Sequence, residues 1–282
     1  MAFVLSAFAD EIGPSLSDQI RLLRHYQIGF VEYRSGEGLN VSDHTLAQGK
    51  EVRKRFEDAG IGFSALGSPL GKIDITADFA PHLALFRHTV DLALAMGAPA
   101  IRLFSFFMPE GDDPRVWRNK VMDQLSAFAE ANRGSGVKLL HENEKAIYGD
   151  TPERCRDLLD AVPELSATYD FSNFVQCGCD NRSGWRLLKD RVVYFHLKDS
   201  LYTQAREGRD LGFQLTGNAH RPLGQGDGCV REILADALAS GFRGFASLEP
   251  HLGDEYGDTG EKRFSAAAEA ARALLTDIGG LQ

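Results

Sequence analysis

The sequence predicts an α/β protein folded as one (β/α)8 TIM barrel over residues 1–282, and three observations point to it. Short β-branched and aromatic runs alternate from end to end with longer stretches carrying apolar residues at helical spacing, which implies parallel strands joined by helices. Eight such pairs occur, the number that closes a barrel, whereas an open doubly wound sheet rarely repeats its unit so evenly. The 282 residues contain no low-complexity or Pro/Ser-rich hinge. A length that by itself allows one domain or two is therefore consumed by a single barrel of about 250 residues with its loops.

The first strand is expected at Phe3–Ala9. The opening residues end in Ala-Phe-Ala, like a cleavage site, but no basic residue precedes them and they run into Asp10 and Glu11, so a buried strand is expected rather than a signal peptide. The following strands are predicted at Gly29–Tyr33, Gly62–Leu66, Ala100–Phe106, Val137–His141, Ala167–Phe171, Val192–Leu197 and Phe245–Leu248. Between and after them, helices are predicted at Ser15–His25, Asp43–Asp58, Ala80–Met96, Pro114–Asn132, Thr151–Ala161, Gly184–Leu188, Arg231–Leu238 and Lys262–Leu275. Gly60 and Gly97 stand where helix C-terminal glycines belong. Asp150-Thr151-Pro152-Glu153 reads as an N-cap, a first-turn proline and an acidic residue favoured by the helix dipole. The most irregular stretch, about 200–228, is long enough to imply a loop lining the site after the seventh strand.

Composition narrows the function. A net charge of −9 with no run of Lys/Arg argues against nucleic acid or anionic membrane as partner, and no apolar stretch is long enough to span a bilayer. The four cysteines, Cys155, Cys177, Cys179 and Cys229, are too sparse for a disulfide framework, which fits a reducing cytoplasm. Cys177-Gly178-Cys179 lacks the spacer of a Cys-x-x-Cys site and has no second pair.

In a (β/α)8 barrel the C-terminal strand ends build the active site, and the last four strands end in chemistry. They run into His141-Glu142-Asn143-Glu144-Lys145, Tyr169-Asp170-Phe171-Ser172-Asn173, Phe195-His196-Leu197-Lys198-Asp199 and Leu248-Glu249-Pro250-His251. Each residue alone reads equally well as a helix cap or a surface ion pair. Three carboxylates converging on one barrel mouth, however, need a cation. Glu142, Asp170, His196 and Glu249 offer a mainly oxygen shell with one nitrogen, suited to one divalent ion, Mn²⁺, Mg²⁺ or Co²⁺, and acceptable to Zn²⁺.

Other residues near strand ends have two readings each. Lys198 shares a strand face with His196, and either contacts substrate or pairs with a carboxylate. Glu32 and Arg34 share a face of the second strand, as an interior ion pair or with Arg34 touching substrate. Ser68-Pro69-Leu70-Gly71-Lys72 is a plain turn or one whose Ser68 and Lys72 face an anionic substrate; it is not an NTPase phosphate loop. Arg102, inside an apolar strand, needs a buried partner such as Glu142. His251 is a rim residue or a substrate contact, because Pro250 interrupts its strand. Phe104, Phe106, Phe107, Phe171 and Phe174 wall the pocket or belong to the core.

Leu-His-Glu-Asn-Glu-Lys followed by Gly-Asp-Thr-Pro-Glu, Tyr-Asp-Phe-Ser-Asn, Phe-His-Leu-Lys-Asp, Gly-Gln-Gly-Asp-Gly and Ser-Leu-Glu-Pro-His resemble, in order and spacing, the xylose isomerase-like TIM-barrel superfamily, specifically its sugar phosphate isomerase/epimerase group. The resemblance runs from Ala9-Asp10-Glu11 to Glu249. It implies that Glu142, Asp170, His196 and Glu249 ligate a divalent metal, and that Glu142 and Glu249 exchange protons with the substrate through a metal-bound enediolate. It further places Arg221, with His220, on a loop approaching the substrate, and puts Ser172 and Asn173 where the best-known epimerases often carry a histidine. Lys198-Asp199 replaces their Gly-Glu pair and is common in the broader group, whose activities include dehydratases.

The implied function is a metal-dependent isomerase or epimerase of a sugar or sugar phosphate, with an inosose- or dehydroshikimate-type dehydratase as the alternative. A non-catalytic sugar-binding protein stays open. An abasic-site endonuclease of the same superfamily fits poorly, since it needs more histidines at strand ends than Arg34, Ser68 and Phe106 supply. Barrels of this kind frequently associate, so a homo-oligomer is compatible with the sequence.

Overall fold

The computed structural model of the protein describes residues 3–202 and 219–281. Eight parallel strands form a nearly closed barrel: β1 (Phe3–Ala7), β2 (Phe30–Tyr33), β3 (Gly62–Gly67), β4 (Ala100–Leu103), β5 (Lys138–Glu142), β6 (Leu165–Asp170), β7 (Val192–Leu197) and β8 (Gly244–Leu248). Their order is β1-β8-β7-β6-β5-β4-β3-β2, with β1 and β2 at the seam. The helices are α1 (Leu16–His25), α2 (Leu46–Asp58), α3 (Phe79–Met96), α4 (Pro114–Asn132), α5 (Pro152–Ala161), α6 (Phe171–Gln176), α7 (Asn181–Leu188), α8 (Val230–Ala239) and α9 (Gly260–Asp277). Among the described residues no helix is long and apolar enough to cross a membrane.

Helix starts follow local chemistry. Ser15, Thr45, Asp78, Asp113, Thr151, Asp170, Asp180 and Thr259 each accept a backbone N–H of the first turn they precede, satisfying donors that the helix leaves unpaired. Gly60 (φ 76°) and Gly97 (φ 69°) take the left-handed conformation expected of them. The fourth strand is shorter than expected. It ends at Leu103, and Phe106 sits at φ 65°, turned into the aromatic group of Phe79, Phe86 and Phe128 between barrel and helices.

Period-two geometry sorts the strand residues. Outward-facing side chains such as Val31, Phe63, Ile101, Leu139, Phe195 and Leu248 join the large core under the helices. Inward-facing ones stack in layers. Ala65, Ala100, Leu140 and Tyr194 form an apolar plug. Beside it the Ser6 and Ser64 hydroxyls lie 2.6 Å apart, and Ser64 Oγ is 2.8 Å from the Tyr194 hydroxyl. Two residues further along, the same strands deliver Phe8, Arg102, Glu142 and His196, and β6 and β8 deliver Asp170 and Glu249. The charged layer lies at the barrel mouth because each strand's inward column ends there.

The loop expected at about 200–228 falls, for residues 203–218, outside the described residues. Its two ends are anchored. Asp199–Ser200 pairs antiparallel with His220–Arg221, and the buried Asp199 carboxylate accepts the N–H groups of Gly224 (3.0 Å), Gly226 (2.9 Å), Gly228 (3.0 Å) and Ser200 (2.9 Å). A Cβ at Gly226 or Gly228 would collide with that carboxylate, which is why Lys-Asp and Gly-Gln-Gly-Asp-Gly occur together. Asp199→Ala is expected to lower stability by about 3 kcal/mol, since several backbone amides lose their acceptor at once. A urea midpoint unchanged from wild type would show that the turn holds itself.

Candidate active site

The mouth of the barrel holds a cavity of about 470 Å³ lined by Arg34, Ser68, Lys72, Arg102, Phe104, Glu142, Glu144, Lys145, Asn173, Gln176, Lys198, His220, Glu249 and His251, among others. Asp170 and His196 lie deeper, both 0% exposed. One donor atom each from Glu142, Asp170, His196 and Glu249 fall within 4.8 Å of one another. The four residues picked from the strand ends thus meet at one point, delivered by β5, β6, β7 and β8 in turn.

The supports of this group are local. Asp170 caps α6: its Oδ1 accepts the Asn173 N–H at 2.7 Å, leaving Oδ2, which is ion-paired with Lys198 at 2.9 Å, toward the cluster. The Asn143 side chain pairs with the Asp170 backbone in both directions, each bond 2.9 Å, and so fixes the end of β5 against that of β6. Asn173 Nδ2 donates to Glu142 Oε1 at 3.1 Å and to the Asn143 carbonyl at 2.9 Å. Arg102 Nε stands 3.1 Å from Glu142 Oε2, and its guanidinium lies over the Phe104 ring at 4.4 Å.

His196 is gripped from below. Its Nε2 lies 3.1 and 3.3 Å from the two Glu32 oxygens. Its Nδ1 faces Glu142 Oε1 at 3.2 Å and Glu249 Oε2 at 3.4 Å. A carboxylate on one ring nitrogen fixes the tautomer and presents the other nitrogen to the cluster, the arrangement a metal-ligating histidine uses. Burial works against charge on this ring, but Glu142 and Glu32 outweigh it and push the imidazole well above its usual range. A metal ion taking Nδ1 would displace that proton.

The donor set fits a divalent ion on observations from the protein itself. Glu142 Oε2, Asp170 Oδ2 and His196 Nδ1 are buried beside charged neighbours, Arg102, Lys198 and the carboxylates of Glu142 and Glu249, and each of the three residues offers a donor atom where the cluster converges. Burial, together with the charges of Glu142 and Glu249, pushes Asp170 up to about 6 despite Lys198 beside it, as expected where several carboxylates crowd one buried point. Glu142, Asp170, His196 and Glu249 would hold the ion.

Glu249 is braced by several cationic groups. Lys198 Nζ lies 3.0 Å from its Oε2 and 2.9 Å from Asp170 Oδ2, and Arg34 Nη1 donates to Oε1 at 3.0 Å. Burial alone would raise its pKa, but Lys198, His196 and His251 hold it well below the usual carboxylate range. Glu142 is likewise held down by His196 and Arg102 against its burial.

Of the residues expected from sequence to face a substrate, all but one line the cavity. Arg34, Ser68, Lys72, Arg102, Asn173, Lys198 and His251 all line the cavity. Arg221 does not. It follows His220 in a two-residue strand, where neighbours point to opposite sides, so His220 faces the cavity while Arg221 Nη1 donates to the His220 carbonyl and lies 3.9 Å from Glu255. The Glu32–Arg34 ion pair is also not formed. Glu32 turns to His196, and Arg34 reaches across the β1–β2 seam to Asp10 (2.7 Å) and Glu11 (3.4 Å). Ser68 donates to the Arg102 carbonyl at 2.6 Å, so its hydroxyl serves the turn. Of the aromatics, Phe104 is a wall residue, while Phe171 and Phe174 pack on Tyr169.

His251 illustrates how backbone strain aims a side chain. β8 ends at Leu248, and His251 takes φ 46°, a left-handed conformation unusual for a non-glycine residue. Its N–H donates to Glu11 Oε2 at 3.0 Å, its Nδ1 lies 2.8 Å from Glu11 Oε1, and its Nε2 lies 3.4 Å from Glu249. Glu11 outweighs the effect of burial and raises this imidazole to about 9. The residues that sequence reasoning passed over are Glu32 as partner of His196, Asn143, and the Glu144–Lys145 pair.

The sequence profile of the family described as xylose isomerase-like TIM barrel matches residues 20–275. No curated protein sequence matches the chain. Solved structures do match. The IolI protein with a bound zinc atom has 16% identity and a TM-score of 0.77, covering 98% of this chain and 99% of that one. The probable 3-DHS dehydratase AsbF from Bacillus anthracis, involved in petrobactin synthesis, has 18% identity and a TM-score of 0.76, covering 96% and 99%. A D-tagatose 3-epimerase-like protein has 14% identity and a TM-score of 0.74, covering 98% of each chain. At these identities the structures attest the fold, and the profile, spanning nearly the whole length, attests the family: the chain belongs to the xylose isomerase-like TIM barrels.

Proposed function

We propose that the protein is a divalent-metal-dependent isomerase or epimerase of a sugar or related polyhydroxy substrate. The observation that carries this reading is the convergence of Glu142, Asp170, His196 and Glu249 within 4.8 Å at the end of a cavity large enough for a small carbohydrate. A divalent ion held there supplies Lewis acidity toward a carbonyl and its neighbouring hydroxyl, which acidifies the adjacent C–H.

The protein's own groups do the rest. Glu142 and Glu249 come from the first and last of four consecutive strands and flank the site, so each can reach one side of a bound carbon. Both are held ionised, as a general base must be. Lys198, 4% exposed, places a fixed positive charge beside Glu249 and opposes the negative charge that develops as the proton leaves. Asn173 and Arg102 hold Glu142 in one orientation, and Phe104 supplies an apolar wall.

The test is solvent exchange. Metal-replete protein in deuterium oxide is expected to place deuterium on a substrate carbon, EDTA treatment to abolish the exchange, and Mn²⁺ to restore it. Exchange that persists after complete metal removal would sink the reading. A dehydratase is the second reading, in which Lys198, buried at the cavity, would be the group that protonates a departing hydroxyl. An unsaturated or deoxy-keto product, in place of an isomerised sugar, distinguishes it.

A further inference from the structure

The turn after β3 carries Ser68, Pro69 and Lys72 into the cavity wall, beside Phe104 from the segment after β4. Its backbone is laid along that segment. The carbonyls of Leu70, Gly71 and Ile73 accept the N–H groups of Phe104, Phe106 and Phe107 at 2.9 Å each, and the Ser68 hydroxyl donates to the Arg102 carbonyl at 2.6 Å. In return the Ser68 carbonyl accepts Arg102 Nη1 at 3.0 Å, and Arg102 Nε stands 3.1 Å from Glu142. The turn therefore holds the arginine that holds a candidate proton-transfer group.

One bond of this turn comes from a helix outside the barrel. Gly71 stands at φ 84°, where a Cβ would collide with the Phe104 carbonyl, a conformation that only glycine adopts freely. Its N–H donates to Nε2 of His82, on the first turn of α3, at 2.8 Å. A backbone N–H can only donate. Nε2 is therefore the bare nitrogen, Nδ1 carries the proton, and the ring is neutral. His82 is 8% exposed, and the rings of Phe106, after β4, and Phe128, on α4, pack against it at 6.4 and 5.8 Å between centroids. The charged residues flanking the contact have other engagements: Lys72 reaches Glu144 and the Phe104 ring, and Asp78 caps α3 through the Ala80 N–H. Burial alone moves the His82 titration, and moves it down, which preserves the acceptor at neutral pH.

We propose that His82, which does not touch the cavity, is the positioning residue of this wall and acts as a neutral latch: protonation puts an N–H where the acceptor lone pair was, breaks the bond to Gly71, and loosens the turn together with Phe104 and the hold on Arg102. The contact is present while the ring is neutral and is lost as pH falls through its titration. This goes beyond the isomerase/epimerase reading, and its test needs neither metal nor substrate, so either idea can fail without the other.

The test uses the full-length protein and the ¹⁵N signals of its histidine rings, that of His82 being the one absent from His82→Gln. At about pH 7.5 His82 is expected in the Nδ1–H form. As the ring titrates in acid, hydrogen exchange at the Gly71, Phe104 and Phe106 amides, corrected for the intrinsic effect of pH, is expected to quicken about ten-fold or more, with the amides of β6 and β7 within about two-fold of their starting protection. His82→Gln offers an oxygen near the place of Nε2 and does not titrate, so it is expected to hold its protection across the same pH range. His82→Phe keeps the aromatic packing without an acceptor, and is expected to be unprotected throughout. A loss that does not follow pH, in either variant, counts for the latch. A proton on Nε2, a ring that stays neutral until the whole protein unfolds, wild-type protection that does not follow the titration, or a pH-dependent fall in a variant without the imidazole overturns it. If His82→Phe does not fold, wild type against His82→Gln decides.

Discussion

Glu249→Gln is expected to lower turnover by about three orders of magnitude, within the roughly 10²- to 10⁴-fold range that a positioned general base contributes. Glutamine keeps the shape of the side chain and an oxygen toward the cluster, but it cannot take a proton from carbon. The fold is expected to survive, because the neighbours of Glu249 have other partners: Arg34 keeps Asp10 and Glu11, and Lys198 keeps Asp170. Loss of the base is separable from loss of the metal by assaying at saturating Mn²⁺ and measuring the ion retained. Glu142→Gln is the harsher change for the surrounding structure, since Arg102 would be left with Glu32 at 3.9 Å as its remaining carboxylate. A Glu249→Gln protein that holds its metal and turns over within about ten-fold of wild type would remove Glu249 from the proton-transfer step.

What the sequence made legible follows from which signals are local. Alternation within a strand is local, and it correctly put His196 and Lys198 on one face and Glu142, Asp170 and Glu249 at strand ends. Contacts across the seam are not. Nothing in the second strand shows that Asp10 and Glu11, which follow β1, lie beside Arg34, so the sequence offers only Glu32, two residues away, as its ion-pair partner. Helix α6 is not legible in the sequence, because six residues, Phe-Ser-Asn-Phe-Val-Gln, carry little helical propensity. The signal that was present is Asp170 three residues before Asn173, an N-cap pattern, and it would have shown that one Asp170 oxygen is spent on the helix. Of the two residues expected to approach the substrate, His220 lines the cavity and Arg221 does not, a division that a two-residue strand gives no period to read. Pro250 interrupts the alternation before His251, whose side chain is aimed by a left-handed backbone that no alternation rule anticipates.

Glu32→Leu is expected to weaken divalent-metal affinity by about 10- to 100-fold without touching any of the four candidate ligands. Glu32 is fully buried (0% exposed) on β2, next to the point where the β2–β3 register shifts between Val31 and Glu32, a feature that often re-aims a side chain beside an active site. Its carboxylate receives His196 Nε2 and lies 3.9 Å from Arg102, which in turn holds Glu142. With leucine there, Nε2 loses its acceptor, so once the ring is neutral its remaining proton is free to sit on Nδ1, and the nitrogen meant for the metal is blocked. Glu32→Gln keeps an acceptor oxygen but loses the charge, so it should fall between leucine and wild type. Calorimetric titration of the metal-free proteins with Co²⁺ gives the affinities, and the ¹⁵N spectrum of His196 reports which ring nitrogen bears the proton. A merely structural role would lower the melting temperature without moving that spectrum, whereas a graded loss of affinity that tracks the tautomer would make Glu32 the residue that tells His196 which way to face.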